Sequence, residues 1–122
     1  MSGLKVLLVD DEEELVSALV ERLNYRGIEA KYALNGPDAL KMIREDDIDV
    51  VVLDLKLPGM SGVAVHDAIK SERPDLAVVL ITGHGAPLEQ LGLPPGEDHV
   101  FLEKPVALDA FIEKIREVTK RQ

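Results

Sequence analysis

Asp10 and Asp11 stand directly behind the apolar run 6–9, and Asp54 stands behind the apolar run 50–53. A carboxylate at the mouth of a buried strand costs desolvation free energy unless a partner offsets it. Thr82 closes a third apolar run, 76–81, and Lys104 follows the short stretch VFLE at 100–103. In an open parallel sheet the carboxyl ends of the strands share one edge, where ligands bind. If the four stretches are neighbouring strands, all five polar residues meet at that edge. Three carboxylates so close repel one another unless a cation lies between them. Oxygen ligands without Cys or His suit Mg2+. The Thr82 hydroxyl and the Lys104 ammonium are surplus to holding a cation, but they match the oxygens of a phosphoryl group in transfer. Asp54 then reads as a nucleophile that attacks phosphorus and forms an acyl phosphate.

Each residue alone also has a plain structural reading. Asp10 or Asp11 serves as a helix cap, Asp54 caps the following turn, Thr82 belongs to a turn, and Lys104 is a surface lysine before Pro105. Their joint placement at the ends of successive apolar runs is what favours chemistry.

The elements that would position these residues alternate in type. KVLLVDD (5–11), IDVVVLD (48–54) and LAVVLITG (76–83) read as strands, and the uninterrupted apolar character of 48–54 suits a central parallel strand covered on both faces. IEAKYA (28–33) reads as a weaker edge strand with Lys31 as a gatekeeper, and HVFLEKP (99–105) as a short fifth strand. The helical stretches are 12–27, 35–46, 61–72 and 108–120. In 12–27, Leu15, Leu19 and Leu23 with Val16 and Val20 form one stripe, and Gly27 supplies the stop. Pro37 sits in the first turn of 35–46, where its missing N–H costs nothing. His66 is expected on the flank of 61–72. The segment 83–98, rich in Gly and Pro, leaves room for about two helical turns around Ala86 to Leu91. This alternation argues for a parallel sheet with helices on both faces and right-handed crossovers.

Composition narrows the function classes. A chain of 122 residues fits one domain. The absence of cysteine excludes disulfides, thiolate catalysis and Cys-based metal sites. His66, His84 and His99 are scattered, which argues against a histidine metal centre. A net charge of −9 repels nucleic-acid phosphates, and the acidic start MSGLKVLLVDDEEE reads as neither signal peptide nor membrane span. The expectation is a cytoplasmic domain that binds neither nucleic acid nor membrane.

The chain resembles, over essentially its whole length, the receiver domain of bacterial two-component response regulators. The likeness rests on VDDE at 9–12, the apolar strand ending in Asp54, LPGMSG at 57–62, the apolar strand ending in TGHG at 82–85, and FLEKP at 101–105, in that order. It implies one domain, 1–122, with an α/β flavodoxin-like (βα)5 three-layer sandwich and parallel strand order 2-1-3-4-5. By resemblance Asp54 is the phosphoacceptor, Asp10 and Asp11 are the acidic pair that binds Mg2+, and the backbone carbonyl of Lys56 is the remaining protein ligand. Thr82 matches the switch hydroxyl, Phe101 the switch aromatic, and Lys104 the phosphate-contacting lysine, with a cis Lys104–Pro105 bond. Lys56 and His84 occupy positions that flank the phosphate and tune its hydrolysis. The phosphoryl donor is a phosphohistidine on a sensor histidine kinase or a histidine phosphotransfer protein. The receiver assists its own phosphorylation and dephosphorylation, and it controls an output domain or downstream protein through a two-state equilibrium. The chain is compatible with a free-standing phosphorelay protein and with a segment of a larger regulator or hybrid kinase.

Two departures stand out. Phe101 lacks the hydroxyl of a tyrosine, and PPGEDHV at 94–100 replaces the usual small-residue helix end, which implies a short or irregular fourth helix. Three rival readings fit the residues less well. A non-phosphorylated receiver-like docking module would not need the full set of reactive side chains. An aspartyl phosphatase needs an acidic residue two places after its nucleophile, where Lys56 stands. A flavin carrier would suffer repulsion between the cofactor phosphate and residues 10–14.

Overall fold

The computed structural model describes residues 4–57, 61–82, 100–103 and 107–120. Along the chain run β1 (Lys5–Val9), α1 (Glu13–Tyr25), β2 (Glu29–Ala33), α2 (Gly36–Glu45), β3 (Val50–Asp54), α3 (Gly62–Glu72), β4 (Ala77–Thr82), β5 (Val100–Glu103) and α4 (Leu108–Lys120). The strands form one sheet in the order β2-β1-β3-β4-β5, and every pairing is parallel. The fold is therefore a flavodoxin-like α/β arrangement. The expected short helix within 83–98 and the cis Lys104–Pro105 bond lie outside the described residues.

Continuous apolar strands still obey a period of two, because successive side chains point to opposite faces of the sheet. Val6, Leu8, Val50, Val52, Val79 and Ile81 pack with Val16 and Leu23 of α1 and with Phe111, Ile112 and Ile115 of α4. Leu7, Val9, Val51, Leu53 and Leu80 pack with Ala39 and Ile43 of α2 and with Val65 and Ile69 of α3. Among the described residues two helices cover each face, so the central strands have no solvent side and need no polar alternation. β2 lies at one edge with Lys31 exposed on it.

Local signals set the helix ends. Asn35 caps α2, its Oδ1 accepting the Asp38 N–H at 2.9 Å, with Pro37 in the first turn. The Ser61 Oγ accepts the Ala64 N–H at 3.1 Å and opens α3. Gly27 has φ of +83°, the left-handed conformation that ends α1.

Two side chains depart from the sequence reading. Leu15 is 51% exposed rather than part of the buried stripe of α1. At about 100° per residue it lies roughly a right angle from the centre of the arc made by Val16, Leu19, Val20 and Leu23. His66 is buried, not on a flank, because α3 presents a wide arc that also takes in Gly62, Val65 and Ile69. Its Nδ1 lies 3.1 Å from the Asp67 carboxylate.

α2 and α3 are joined by Arg44, whose Nε and a terminal guanidinium nitrogen donate to the two carboxylate oxygens of Glu72, both at 2.7 Å. This bidentate hydrogen bond, with the charge of Arg44, holds the Glu72 carboxyl below its ordinary value. A depressed carboxylate stabilises the fold above the unfolded value, and the contribution is lost as pH falls through the folded one. The pair is solvent-accessible, so the effect is small and salt-sensitive. The expected outcome is that Glu72→Gln lowers the urea midpoint slightly at neutral pH. The gap from wild type should close as pH drops below the carboxylate range.

Candidate functional site

Asp10 follows the last residue of β1 and is buried. Its N–H continues the sheet by donating to the Ala33 carbonyl at 3.1 Å. Its Oδ1 accepts the Glu12 N–H at 2.9 Å, a tight local turn in which an aspartate binds the backbone two residues on. Asp54 is the last residue of β3, 4% exposed, and its Oδ1 accepts the Lys56 N–H at 2.8 Å in the same pattern. Each buried carboxylate thus has a backbone donor, which offsets part of its desolvation cost.

The chain beyond Asp54 is held tightly. Leu55 donates its N–H to the Ile81 carbonyl at 3.1 Å, and its own carbonyl accepts the Gly62 N–H at 3.3 Å. A Cβ at position 62 would lie 2.3 Å from the Leu55 Cα. Glycine is therefore required there for the start of α3 to approach the backbone beside Asp54.

Register places the other expected residues. Asp54 is paired with Ile81, next to Thr82 at the end of β4, and Thr82 is paired with Glu103, the residue before Lys104. The backbone thus brings Asp10, Asp54 and Thr82 to one edge of the sheet. Phe101 is paired with Leu80, further from that edge. Lys104 and His84 lie outside the described residues. Lys56 is exposed, with its N–H on Asp54.

Among the described residues the carboxylates that converge are Asp10, Glu12 and Asp54, with one ligand oxygen from each within 4.8 Å of the others. Asp11 is exposed and outside that group. Glu12 was not singled out from the sequence. The available signal was its position two residues after Asp10, where a turn closed by the Asp10 side chain brings it round. An all-oxygen donor set with three negative charges fits a divalent cation and no soft metal. No helix among the described residues is long and apolar enough to cross a membrane.

A parallel α/β sheet with an acidic cation site at the carboxyl ends of its central strands defines the class. Residues 6–116 match the family model described as the response regulator receiver domain. The sensory transduction protein RegX3 of Mycolicibacterium smegmatis is 36% identical over 117 residues, covering 95% of this chain and 50% of that protein. The response regulator MprA of Mycobacterium leprae is 31% identical, covering 97% of this chain and 52% of that protein. The chain spans about half the length of the curated relatives it matches. Among solved structures, a CheY-like receiver domain protein from Methanospirillum hungatei superposes with a TM-score of 0.87 at 28% identity, covering 98% of this chain and 96% of that one. A receiver domain protein from Clostridium thermocellum gives 0.84 at 31% identity, covering 97% and 95%. The chain belongs to the response regulator receiver domain family. Its function is that of a phosphorelay receiver, with a carboxylate cluster able to chelate a divalent cation.

Proposed function

We propose that Asp54 is the phosphoacceptor and that residues 1–122 form one receiver domain of the (βα)5 sandwich type. The observation that carries this reading is the convergence of Asp10, Glu12 and Asp54 at the carboxyl edge of the sheet, with Asp54 on the central strand. The cation would be Mg2+, and the residues that would hold it are Asp10, Asp54 and the backbone carbonyl of Lys56, with Asp11 turning inward from its exposed position. When bound, it neutralises charge on the phosphoryl oxygens and favours attack on phosphorus.

One Asp54 carboxylate oxygen forms the new O–P bond as the P–N bond to the donor imidazole breaks, and the imidazole keeps the electron pair of that bond. The Lys56 N–H on Oδ1 fixes the orientation of the carboxylate during attack. The Thr82 hydroxyl and the Lys104 ammonium take the remaining phosphoryl oxygens. Movement of Thr82 toward the phosphoryl group, followed by Phe101, converts the local charge into an altered surface. The donor is a phosphohistidine on a sensor histidine kinase or a histidine phosphotransfer protein, and the output is a linked domain or a downstream protein.

Borohydride reduction of the phosphorylated chain, followed by peptide mapping, tests the acceptor assignment. An acyl phosphate at residue 54 is reduced to homoserine. A reduced residue elsewhere would move the acceptor, and no reduction at all would favour an unphosphorylated docking module.

Leu15 bears on the donor. It lies three residues after Glu12 in the first turn of α1 and is half-exposed, which makes it available to a protein that docks beside the carboxyl edge of the sheet. Leu15→Glu is expected to slow transfer from a histidine phosphotransfer protein about tenfold, by introducing a charge into a desolvated contact. Phosphorylation by a small acyl phosphate should be unchanged. Equal slowing with both donors would place Leu15 in the fold rather than in docking.

A further inference from the structure

We propose that the groove between the end of α1 and α4 is a self-association surface, where a second copy of this chain docks across a two-fold axis. The contact stands apart from Asp54, so its failure leaves the phosphoacceptor reading untouched.

The groove holds about 590 Å3 and is lined by Arg26, Asp109, Ile112, Glu113, Arg116 and Glu117. Arg26 follows the last residue of α1, and the other five belong to α4. Asp109, Ile112, Glu113 and Arg116 recur at three- and four-residue spacing, so they share one side of that helix. Ile112 is buried in the core that α4 shares with α1, and it gives the groove an apolar floor among charged side chains.

Charge selects the occupant. The chain carries a net charge of −9, so two copies repel one another in most orientations. In the groove, two arginines stand among three carboxylates, which leaves the local charge close to balanced. A wholly basic or wholly acidic partner would meet like charge there, whereas a second copy brings both signs. Glu113 and Arg116 make no side-chain ion pair among the described residues. They lie one turn apart, so two α4 helices crossing antiparallel about the axis set Glu113 of each copy against Arg116 of the other. A two-fold contact repeats every pair, so this match is made twice. Arg26 and Asp109 are already paired within one copy, but at 3.4 Å and with side chains 51% and 88% exposed. Such a pair is worth little in water and exchanges readily for one across the interface.

Tyr25 supplies apolar area. It adjoins Arg26 and is 91% exposed, so one of the four aromatic residues of the chain adds almost nothing to the core. Tyrosine is enriched at protein interfaces because it covers a large area with few rotatable bonds. Against Ile112 and the arginine stems of a second copy, the ring leaves water while its hydroxyl stays at the rim.

Sedimentation equilibrium of the full chain, from about 10 µM to about 1 mM, tests this by comparing wild type with Glu113→Arg, Arg116→Glu, the double reversal and Tyr25→Ser. All three positions are exposed, and circular dichroism verifies that each variant keeps the fold. The wild type is expected to dimerise with a Kd on the order of 100 µM, as suits a small and partly polar contact. Each single reversal should weaken the dimer by about tenfold or more, because it opposes like charges twice. The double reversal should return most of the affinity, since the reciprocal pairs re-form with their signs exchanged. Tyr25→Ser should weaken the dimer about tenfold. A wild-type chain that stays monomeric throughout would overturn the proposal. So would a dimer that keeps its affinity in both single reversals, which would use another face. A double reversal as weak as the single ones would overturn the two-fold pairing of Glu113 with Arg116.

Discussion

Asp54→Asn is expected to take up no phosphoryl group from any donor, and to be more stable than the wild-type chain in the absence of divalent cation. Loss of phosphorylation follows because an amide oxygen is too weak a nucleophile to replace the carboxylate. The gain in stability has a separate cause. Asp54 is buried within 4.8 Å of the Asp10 and Glu12 carboxylates, so removing its charge relieves repulsion on the order of 1–2 kcal/mol. Asparagine retains a side-chain oxygen to accept the Lys56 N–H, so the turn after β3 survives. Urea unfolding in chelator should show a raised midpoint, and added Mg2+ should stabilise the wild type much more than the variant. A variant less stable than wild type under chelator would mean that the three carboxylates are not in electrostatic conflict.

Gly62→Ala carries the second large effect, and its sign is decided by geometry rather than propensity. Within a helix, alanine is favoured over glycine by about 1 kcal/mol. Here the added Cβ would lie 2.3 Å from the Leu55 Cα and 2.8 Å from its carbonyl carbon and oxygen. These are backbone atoms, so relief requires α3 to retreat from the strand end or β3 to shift. The expected result is a loss of about 3 kcal/mol in urea unfolding. Leu55 sits between Asp54 and the Lys56 N–H that orients it, so phosphorylation by a small acyl phosphate should slow as well. A variant as stable as wild type would show that the start of α3 is free to move away from the site.

Both predictions concern the same piece of chain, and this explains how the fold serves the chemistry. β3 is the central strand, with β1 and β4 on either side and helices over both faces. Its last residue is therefore held by packing on both faces of the sheet. Hydrogen bonds from Leu55 to Ile81 and from Gly62 to Leu55 extend that rigidity past the strand end. A carboxylate fixed in this way loses little freedom on reaching the geometry for attack.

The uninterrupted apolar runs at 50–53 and 76–81 made the parallel architecture legible, because only a sheet covered on both faces tolerates strands with no polar side. Asp10 and Asp54 were legible for a related reason, since a charge directly behind such a run has a cost that calls for a function. Glu12 was not. Five acidic residues in a row offer several candidate pairs, and the one that turns inward depends on a hydrogen bond from the Glu12 backbone to the Asp10 side chain. Leu15 and His66 were misplaced because helical spacing gives an arc but not its edges. A quarter-turn decides between half-exposed and buried. The Arg44–Glu72 pair joins residues 28 apart in sequence, and no local pattern announces it.

The most direct measurement is the intact mass of the wild-type chain after brief exposure to a small acyl-phosphate donor, with Mg2+ and with chelator, beside Asp54→Asn. The account predicts one added phosphoryl group in the wild-type sample with Mg2+, and none in chelator or in the variant. A phosphoryl group that persists in Asp54→Asn, or that forms equally well in chelator, would contradict the account, as would a folded, Mg2+-binding wild-type chain that takes up none.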